Sequence, residues 1–480
     1  MESSNKAMTT LTTGDVDKKM SPQGRKAMFG AQGGLFVDMF DVYLPIIVMA
    51  PAAIYFQATG ISDSASRILT AVVFVATMLG RPLGALIFGN LSDRTGRRRT
   101  TLISLIGFGF TTLLIASLPG NEQIGVWAII LLITLRFVDG VFLGGQYTAS
   151  APLALETSPH HKRGLIGSFI MTGFPLAYCA TGLITFGLLQ IIPAGSLHSP
   201  YVQWGWRLPF VLGGLMALVF AWWYARNVKE SAVWEKTVRT GPSPIVQLFR
   251  GSNLRGFLQV FLLMSGNYMS FNMVGAVLPG VLKQYAGLKD TEVTMVMIIA
   301  YALLALTYLG AGLFSQRAGR RPFFMIQGVM TATVAPVLYW LVASKTVTGL
   351  PAVGLVTVAL ILVVVTTWGV VTTYIIERFH TGVRSSGYGL GYSLAVVIPS
   401  FYAFYQAGLT SFMPFEYTPL VLLVLGGILL FVGAAIGPET KDVDLASGAE
   451  VKAVDGDALA GSLVGVPYAH DKNDSEKKGK

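Results

Sequence analysis

Cysteine and charged residues are both scarce in this sequence of 480 residues. The one cysteine, Cys179, lies in an apolar stretch, which excludes an intramolecular disulfide framework and a cysteine-rich metal site. Only 12% of the residues are charged, about half of the ~25% that is usual in soluble domains. Phosphate-binding loops and Ser-His-Asp spacings are also missing, so we expect neither an enzyme nor a protein with a cofactor or metal.

Hydrophobic residues, in contrast, make up 53% of the chain, and the mean hydropathy is +0.60. They recur in stretches of about 20 residues, the helix length that crosses ~30 Å of hydrocarbon. The sequence therefore predicts an all-α polytopic membrane protein. Its twelve transmembrane helices are predicted near residues 28–50, 66–90, 101–118, 124–150, 164–192, 207–225, 256–282, 292–314, 322–343, 352–376, 386–408 and 416–436.

Polar segments flank and divide these spans. We expect residues 1–27 to be an N-terminal tail rather than a cleaved signal peptide, because they contain no apolar core. Residues 437–480 are likewise expected to be a tail. The longest internal connector, 226–255, is predicted to separate two six-helix bundles, 28–225 and 256–436.

The distribution of lysine and arginine predicts the orientation of the chain. Seventeen of these residues fall in the loops on the side of the two termini, whereas the opposite loops contain three, Lys283, Lys289 and Lys345. Because positive charge accumulates on the cytoplasmic side, both termini are expected inside the cell. The net charge of +10 is then a topology signal, and a nucleic-acid partner is not expected.

Two charged patterns recur about 220 residues apart, which predicts a duplicated six-helix unit with parallel repeats. We interpret them as a gating cluster on the cytoplasmic side, whose charges pair in one conformation and separate in another. The alternative is a basic loop that only sets topology. The residues are Gly89, Asp93, Arg94, Gly96, Arg97, Glu156 and Arg163 in the first half and Arg317, Gly319, Arg320, Glu377 and Arg384 in the second.

Five charged residues lie deep inside the predicted helices of the first half, away from the helix ends. Asp38, Arg81 and Arg136 fall near the bilayer midplane, and Asp41 and Asp139 are each three positions from one of them. Because an unpaired charge in hydrocarbon is costly, such residues usually mark a substrate or proton pathway. We expect the three aspartates to couple transport to protons and the two arginines to bind a substrate carboxylate. A purely structural salt-bridge lattice is the alternative.

Neutral polar and aromatic residues complete the predicted substrate site. The second half contains no comparable midplane charge, so we expect it to contribute neutral recognition groups. The candidates are Gln146 in the fourth span, Asn267, Tyr268 and Asn272 in the seventh, and Trp368 in the tenth. The aromatic members favour an aromatic acid as substrate, unless they serve packing alone.

The repeated loop pattern resembles the signature of the major facilitator superfamily. Further segments are similar to its metabolite:proton symporter family, which carries organic acids or zwitterions such as proline and betaine. These segments are Asp38-Met-Phe-Asp41, Arg81-Pro82-Leu-Gly84, Trp204-Gly-Trp206-Arg207-Leu-Pro209 and Pro438-Glu439-Thr440-Lys441. The resemblance implies a secondary transporter with two pseudo-symmetric halves that works by alternating access.

Four positions depart from the pattern of that family. The family usually has glutamate at the positions of Asp38 and Gln146 and aspartate at that of Gln316, while Asp139 stands where it commonly has a neutral residue. Asp139 and Gln146 are seven positions apart and share a helical face. We therefore hypothesise that an acid has moved two turns along this helix.

Together these features predict proton-coupled uptake of a small carboxylate-bearing metabolite. The chain is expected in the bacterial cytoplasmic membrane, as a monomer whose partners are protons, lipid and an organic anion. A symporter of compatible solutes such as betaine or proline is the main alternative, and a drug:proton antiporter is less favoured. An integral-membrane enzyme or sensor should show a catalytic cluster or a folded soluble domain.

Overall fold

A computed structural model describes residues 20–57, 63–236 and 243–445 of the chain, and within these ranges every regular element is helical. The predicted all-α fold with twelve principal helices is confirmed. They are α1 (Pro22–Tyr43), α2 (Asp63–Thr95), α3 (Arg97–Ala116), α4 (Trp127–Glu156), α5 (Arg163–Met171 and Gly173–Ile191), α6 (Arg207–Asn227), α7 (Gly251–Asn272), α8 (Asp290–Ala318), α9 (Arg320–Ala343), α10 (Leu350–Val365 and Trp368–Arg378), α11 (Arg384–Ser393, Val397–Ser400 and Tyr402–Leu409) and α12 (Thr418–Ala435).

Within the described ranges, ten helical stretches are long and apolar enough to cross a bilayer. Their outward faces carry large apolar side chains, among them Leu306, Val219 and Leu355, which are 65–72% exposed. Water would not solvate such a surface, whereas lipid tails would. The chain is therefore a polytopic membrane protein.

The eleventh helix differs from its prediction as one continuous span over 386–408. It is broken into three α-helical pieces, with a 3-10 turn at Leu394–Val396 between the first two. Pro399 lies at this break, and a proline lacks the N–H that would continue the helical ladder. The carbonyl oxygen of Pro399 accepts a hydrogen bond from Asn272 Nδ2 of α7 at 2.9 Å, which ties the broken helix to α7.

Glycines end α2 and α8 at equivalent points of the repeat. Gly96 follows α2 with φ of 112°, and Gly319 follows α8 with φ of 104°. This region of backbone conformation is open to glycine and unfavourable to residues with a Cβ. Each glycine turns the chain directly into the next helix, α3 or α9. The repeated Gly-Arg-Arg pattern thus fixes two tight helix-to-helix turns.

The first half is held together by close contact between α2 and α4. A Cβ atom on Gly140 would lie 2.2 Å from the Thr77 carbonyl oxygen, and one on Gly84 would lie 2.0 Å from that of Val141. Small residues at such crossings let helix backbones approach each other inside a membrane. The approach positions Arg81 of α2 beside the polar face of α4.

The two halves meet through equivalent helices. In the first half α2 packs on α4 and α3 packs on α6, while in the second half α8 packs on α10 and α9 packs on α12. Between the halves, α2 lies against α11 and its counterpart α8 lies against α5. This two-fold pattern confirms the predicted pseudo-symmetric halves. The bundle limits 28–225 and 256–436 stay a prediction, and residues 1–19 and 446–480 of the predicted tails lie outside the described ranges.

The α2–α4 contact yields a stability prediction. Replacing Gly140 with alanine forces the Thr77 backbone away, and overpacking of this kind costs about 1–3 kcal/mol. We expect Gly140→Ala to lower the apparent Tm of the purified protein by several degrees. The matched control is Gly310→Ala on α8, where nothing lies within 4 Å of an added Cβ. Equal melting temperatures for the two variants would contradict this account of the packing.

Candidate functional site

The five charged residues predicted to lie near mid-membrane in the first half form two separate groups. In the first, Asp38 of α1 forms a salt bridge with Arg81 of α2. Both side chains are buried, and Asp38 Oδ2 and Arg81 Nε have no hydrogen-bond partner among the described residues. The guanidinium also lies over the ring of Tyr147, 5.6 Å from its centroid. Arg81 therefore has a buried N–H group that could donate a hydrogen bond to a ligand.

The second group is centred on Arg136 of α4. Its Nη1 atom lies 2.8 Å from Asp41 Oδ2 and 2.8 Å from Asp139 Oδ2. Thr112 donates to the other oxygen of Asp41 at 2.7 Å. All of these side chains are buried within the first half. Two carboxylates share one guanidinium here, so the group carries a net charge of −1 unless one carboxylate holds a proton.

The predicted neutral polar residues have different surroundings. Among the residues that the structure describes, Asn267 keeps an unpaired amide N–H group, whereas Asn272 and Gln146 are used in contacts between or within helices. Thr367 donates to Asn267 Oδ1 at 2.5 Å, whereas Nδ2 of this buried asparagine has no partner within the described ranges. Asn272 is used to hold the break in α11. Gln146 donates to Ser150 at 3.2 Å and packs against Gly34 of α1. The described contacts of Gln146 thus lie within the first half, away from the seam between the halves.

Aromatic rings from both halves contact one another near Arg81. Tyr147 of α4 packs on Tyr392 of α11 with 5.0 Å between the ring centroids. Tyr392 in turn makes edge-to-face contacts with Tyr268 of α7 and Trp368 of α10, at 6.0 and 5.6 Å. Tyr268 and Trp368 are 4.8 Å apart. We call these four residues the aromatic cluster. It brings the predicted Tyr268 and Trp368 together with two tyrosines that sequence reasoning missed.

A signal for one of the missed tyrosines was available. Tyr388 and Tyr392 are four positions apart in the predicted eleventh helix, which places them on one face, and their rings contact each other at 5.9 Å. Tyr147 directly follows Gln146, and nothing in its spacing distinguishes it from a packing residue. Its hydroxyl forms a hydrogen bond with Ser393 of the second half.

The charged repeat patterns meet at one end of the bundle, which we call the basic side. Asp93 of α2 accepts hydrogen bonds from the backbone N–H groups of Ser385 and Ser386 at 3.1 and 2.9 Å. These amides begin α11, where the helix dipole favours a negative charge. Glu156 of α4 joins Arg97 and Arg384, at 2.8 and 2.6 Å. The contacts therefore tie the first half to the second on this side.

The second half repeats the arrangement with a neutral residue in place of the aspartate. Arg320 donates to Glu377 Oε2 from Nε at 3.2 Å, as its counterpart Arg97 pairs with Glu156. Gln316 accepts from the backbone N–H of Gly164 at 2.8 Å and from Arg320 Nη2 at 2.8 Å. An amide can accept these bonds as a carboxylate does, but it adds no charge.

The remaining pattern residues lie around these contacts. Gly89 lets α2 approach α11, since a Cβ atom there would lie 3.0 Å from Ser386 Cα. Arg94 and Arg317 are exposed on the basic side. Among the described residues, no group of three or more histidine, cysteine, aspartate or glutamate side chains is placed to hold a metal ion.

Two glutamates of the basic side were missed as site residues. Glu230, after α6, accepts from the backbone N–H groups of Arg97 and Arg98, each at 3.0 Å. Glu439, after α12, accepts from those of Arg320 and Arg321 at 2.8 and 3.0 Å. Each glutamate therefore satisfies two free amides at a helix N-terminus. A sequence signal for these two glutamates was available. Each is followed by a residue with a hydroxyl group, in Glu230-Ser231 and in Glu439-Thr440.

The chain after α12 crosses the seam between the halves. The carbonyl oxygen of Val443 accepts from Arg163 Nη1 of α5 at 2.6 Å. That of Leu445 accepts from Arg384 Nη2 and Thr381 Oγ1 of the second half at 3.1 and 3.3 Å. Leu445 is itself buried. We call residues 443–445 the C-terminal strap, because they link both halves on the basic side.

Residues 33–395 match the family model described as Major Facilitator Superfamily. The chain is 30% identical to the alpha-ketoglutarate permease of Escherichia coli K12, over 83% of this chain and 88% of that protein. It is 27% identical to the shikimate transporter of the same organism, over 86% and 94% of the two chains. It is also 27% identical to the proline/betaine transporter of Salmonella typhimurium LT2, over 88% and 85%.

A solved structure has the same fold. The proton:xylose symporter XylE, bound to 6-bromo-6-deoxy-D-glucose, superposes with a TM-score of 0.71 at 18% identity, covering 90% of this chain and 99% of its own. Identity this low supports the fold alone.

The contacts of the basic side predict a shift in conformation. Each hydrogen bond to a charged group contributes about 1.5–3 kcal/mol, and Asp93→Asn weakens the bonds to Ser385 and Ser386. We therefore expect Asp93→Asn to lengthen the distance between spin labels attached at Thr95→Cys and Ala318→Cys in a Cys179→Ser background. The distance is measured by pulsed electron–electron double resonance. Glu122→Gln, an exposed acid on the opposite side, is the control. An unchanged distance distribution in Asp93→Asn would show that these bonds do not hold the basic side closed.

Proposed function

The chain belongs to the major facilitator superfamily and is a secondary membrane transporter, and we propose that it takes up a small carboxylate-bearing metabolite together with protons. The observation that carries this proposal is the Asp38–Arg81 pair. It is buried, it retains unsatisfied polar atoms, and it adjoins aromatic rings contributed by both halves. A ligand at this position would contact both halves, as alternating access requires.

Arg81 is the better of the two predicted arginines for the substrate carboxylate. Arg136 is already engaged by Asp41 and Asp139, within the first half. Within the described part of the chain, Arg81 has a single carboxylate partner, and it lies next to Tyr147. A guanidinium binds a carboxylate through two parallel hydrogen bonds, so a substrate carboxylate competes directly with Asp38 for this group.

That competition supplies a coupling mechanism. When Asp38 is ionised it holds Arg81, and the site is neutral and closed to an anion. A proton on Asp38 removes its charge and weakens the pair, so that Arg81 becomes available to the substrate carboxylate. The loaded site is again neutral, which keeps the cost of burying it low. Release of the substrate restores the Asp38–Arg81 pair and expels the proton.

Asp41 and Asp139 supply a second proton-holding position. Their shared contact with Arg136 leaves one negative charge in excess in a fully buried group. Because uncompensated charge is expensive in such surroundings, the pair retains one proton between them. This position is separate from Arg81, so its proton is not displaced by the substrate directly.

We propose that the basic side faces the cytoplasm of a bacterium and that both termini lie there, on the positive-inside rule. One relative of 28% identity is an Escherichia coli protein named as an inner membrane metabolite transport protein. With the basic side closed, the contacts between the halves block access to the site from the cytoplasm. The functional unit is a monomer, because each chain contains both halves.

A zwitterionic substrate is the second candidate. The faces of aromatic rings attract quaternary ammonium groups, and Tyr147, Tyr268, Trp368 and Tyr392 provide such rings near Arg81. One relative is a proline/betaine transporter. Betaine and the organic acids share a carboxylate, so Arg81 would have the same task for either.

The proposal predicts accumulation driven by a pH gradient. Full-length protein in liposomes that are alkaline inside should accumulate at least one of labelled benzoate, shikimate, alpha-ketoglutarate and betaine above the level in protein-free liposomes, and a protonophore should abolish the accumulation. Asp38→Asn should lose accumulation yet retain exchange of internal for external substrate, since it mimics the protonated state permanently. Glu235→Gln, an exposed acid in the connector, serves as the control. Accumulation by Asp38→Asn at the level of the unaltered protein would refute the role of Asp38.

A second prediction concerns Arg81. Lysine keeps the charge but cannot reproduce the two parallel bonds of a guanidinium, so Arg81→Lys should raise the Kd for the transported carboxylate about tenfold or more, in line with ~1.5–3 kcal/mol for a charged hydrogen bond. Binding is measured by the ligand-induced rise in Tm. Arg99→Lys, at an exposed position of α3, should bind as the unaltered protein does. Wild-type affinity in Arg81→Lys would place the carboxylate elsewhere.

A further inference from the structure

We propose that the substrate is a monocarboxylate built on an aromatic ring that carries an oxygen substituent. This inference rests on the proposed function, because it takes Arg81 as the carboxylate anchor and Asp38 as the proton carrier. It adds the chemical class of the ligand, which follows from the charge of the site, the geometry of its rings and its unpaired donors.

The charge of the loaded site selects a single carboxylate. With Asp38 protonated, Arg81 contributes one positive charge, and a monocarboxylate brings the buried site to neutrality. A dicarboxylate would leave one negative charge with no partner, since Arg136 is occupied by two aspartates. A zwitterion would pair its carboxylate with Arg81 and leave its own cationic group uncompensated. Either excess is costly in a buried site, so the body of the ligand is uncharged.

Two nearly parallel rings from different halves favour a ligand with a flat body. Phe174 of α5 and Trp368 of α10 are nearly parallel, with 14° between their planes and 6.4 Å between their centroids. The directly stacked pair Tyr178 and Tyr301 is 4.0 Å apart. A planar ring inserted between two others needs about 7 Å, twice the usual contact distance between carbon atoms of ~3.5 Å. A planar ligand ring would stack on both of them once the two halves move apart at this point.

These two rings also belong to different halves of the molecule. Phe174 is in the first half and Trp368 in the second, so a ring between them is contacted by both. Tyr268 and Tyr392 both contact Trp368 edge to face. Edge-to-face neighbours are favourable for an aromatic guest and offer less to an aliphatic one of the same size.

Unpaired hydrogen-bond donors in the protein favour a ligand ring that carries an oxygen substituent. Trp368 Nε1 and Asn267 Nδ2 are buried, 4% and 1% exposed by residue, and neither has a partner among the described residues. Buried donors are nearly always satisfied in a folded protein. A hydroxyl, carbonyl or ether oxygen on the ligand would satisfy them. A purely hydrocarbon ring would leave both donors unpaired.

The test compares five probes by their effect on the Tm of the purified full-length protein. They are 4-hydroxybenzoate, benzoate, cyclohexanecarboxylate, phthalate and glycine betaine. We expect 4-hydroxybenzoate to bind most tightly, benzoate less tightly, and cyclohexanecarboxylate about tenfold more weakly than benzoate, as loss of aromatic contacts implies. Tighter binding of phthalate, betaine or cyclohexanecarboxylate than of either benzoate would overturn the proposal.

Variants of Trp368 separate its ring from its N–H group. Trp368→Phe keeps a ring and removes one of the two donors, so it should reduce the preference for 4-hydroxybenzoate over benzoate. Trp368→Leu should lose the preference for benzoate over cyclohexanecarboxylate. Trp340→Leu, at an exposed position of α9, is the matched control and should keep both preferences. Unaltered preferences in the two Trp368 variants would contradict the placement of the ligand.

Failure of this inference is distinguishable from failure of the proposed function. If some carboxylates bind and Arg81→Lys weakens them, but aromatic and aliphatic acids bind alike, only the aromatic class is wrong. If none of the probes binds, or if Arg81→Lys binds them as the unaltered protein does, the carboxylate site itself is wrong and the aromatic class falls with it.

Discussion

A charge buried among apolar helices must be paired, and this requirement organises the whole molecule. At mid-depth it places Asp38 against Arg81 and two aspartates against Arg136. On the basic side it places Glu156 between Arg97 and Arg384. The first two groups hold helices of one half together, whereas the third joins the halves. Ion pairs therefore stabilise the first six-helix bundle near mid-membrane, and they stabilise the contact between the two halves on the basic side.

The two duplicated halves differ in how many buried ion pairs they contain. On the basic side Arg97 and Arg320 have equivalent partners, Glu156 and Glu377, and Glu230 and Glu439 bind equivalent helix ends. The Asp93 position, however, is Gln316 in the second half, so one of two equivalent contacts between the halves is charged and the other is neutral. At mid-depth the asymmetry is larger, since the ion pairs lie in the first half and the second contributes rings and amides.

Much of this architecture could be predicted from the sequence, because helix length and charge placement depend on local composition. The twelve helices, the repeat, and the five buried charges all follow from it. The division of those charges into two groups could not be predicted, since it depends on how α1, α2 and α4 are rotated against one another. Tyr147 was missed for the same reason. The break in α11 was missed although Pro399 marks it, because prolines also occur in unbroken membrane helices.

The C-terminal strap has a consequence for how the protein is made and handled. Its contacts with Arg163 and Arg384 use backbone carbonyls of Val443 and Leu445, residues that leave the ribosome only after the last helix. The closed seam is thus completed at the end of synthesis, when both halves are already in the bilayer. An affinity tag or fluorescent fusion joined directly after α12 would remove this strap. A fusion attached beyond residue 445 would leave it intact.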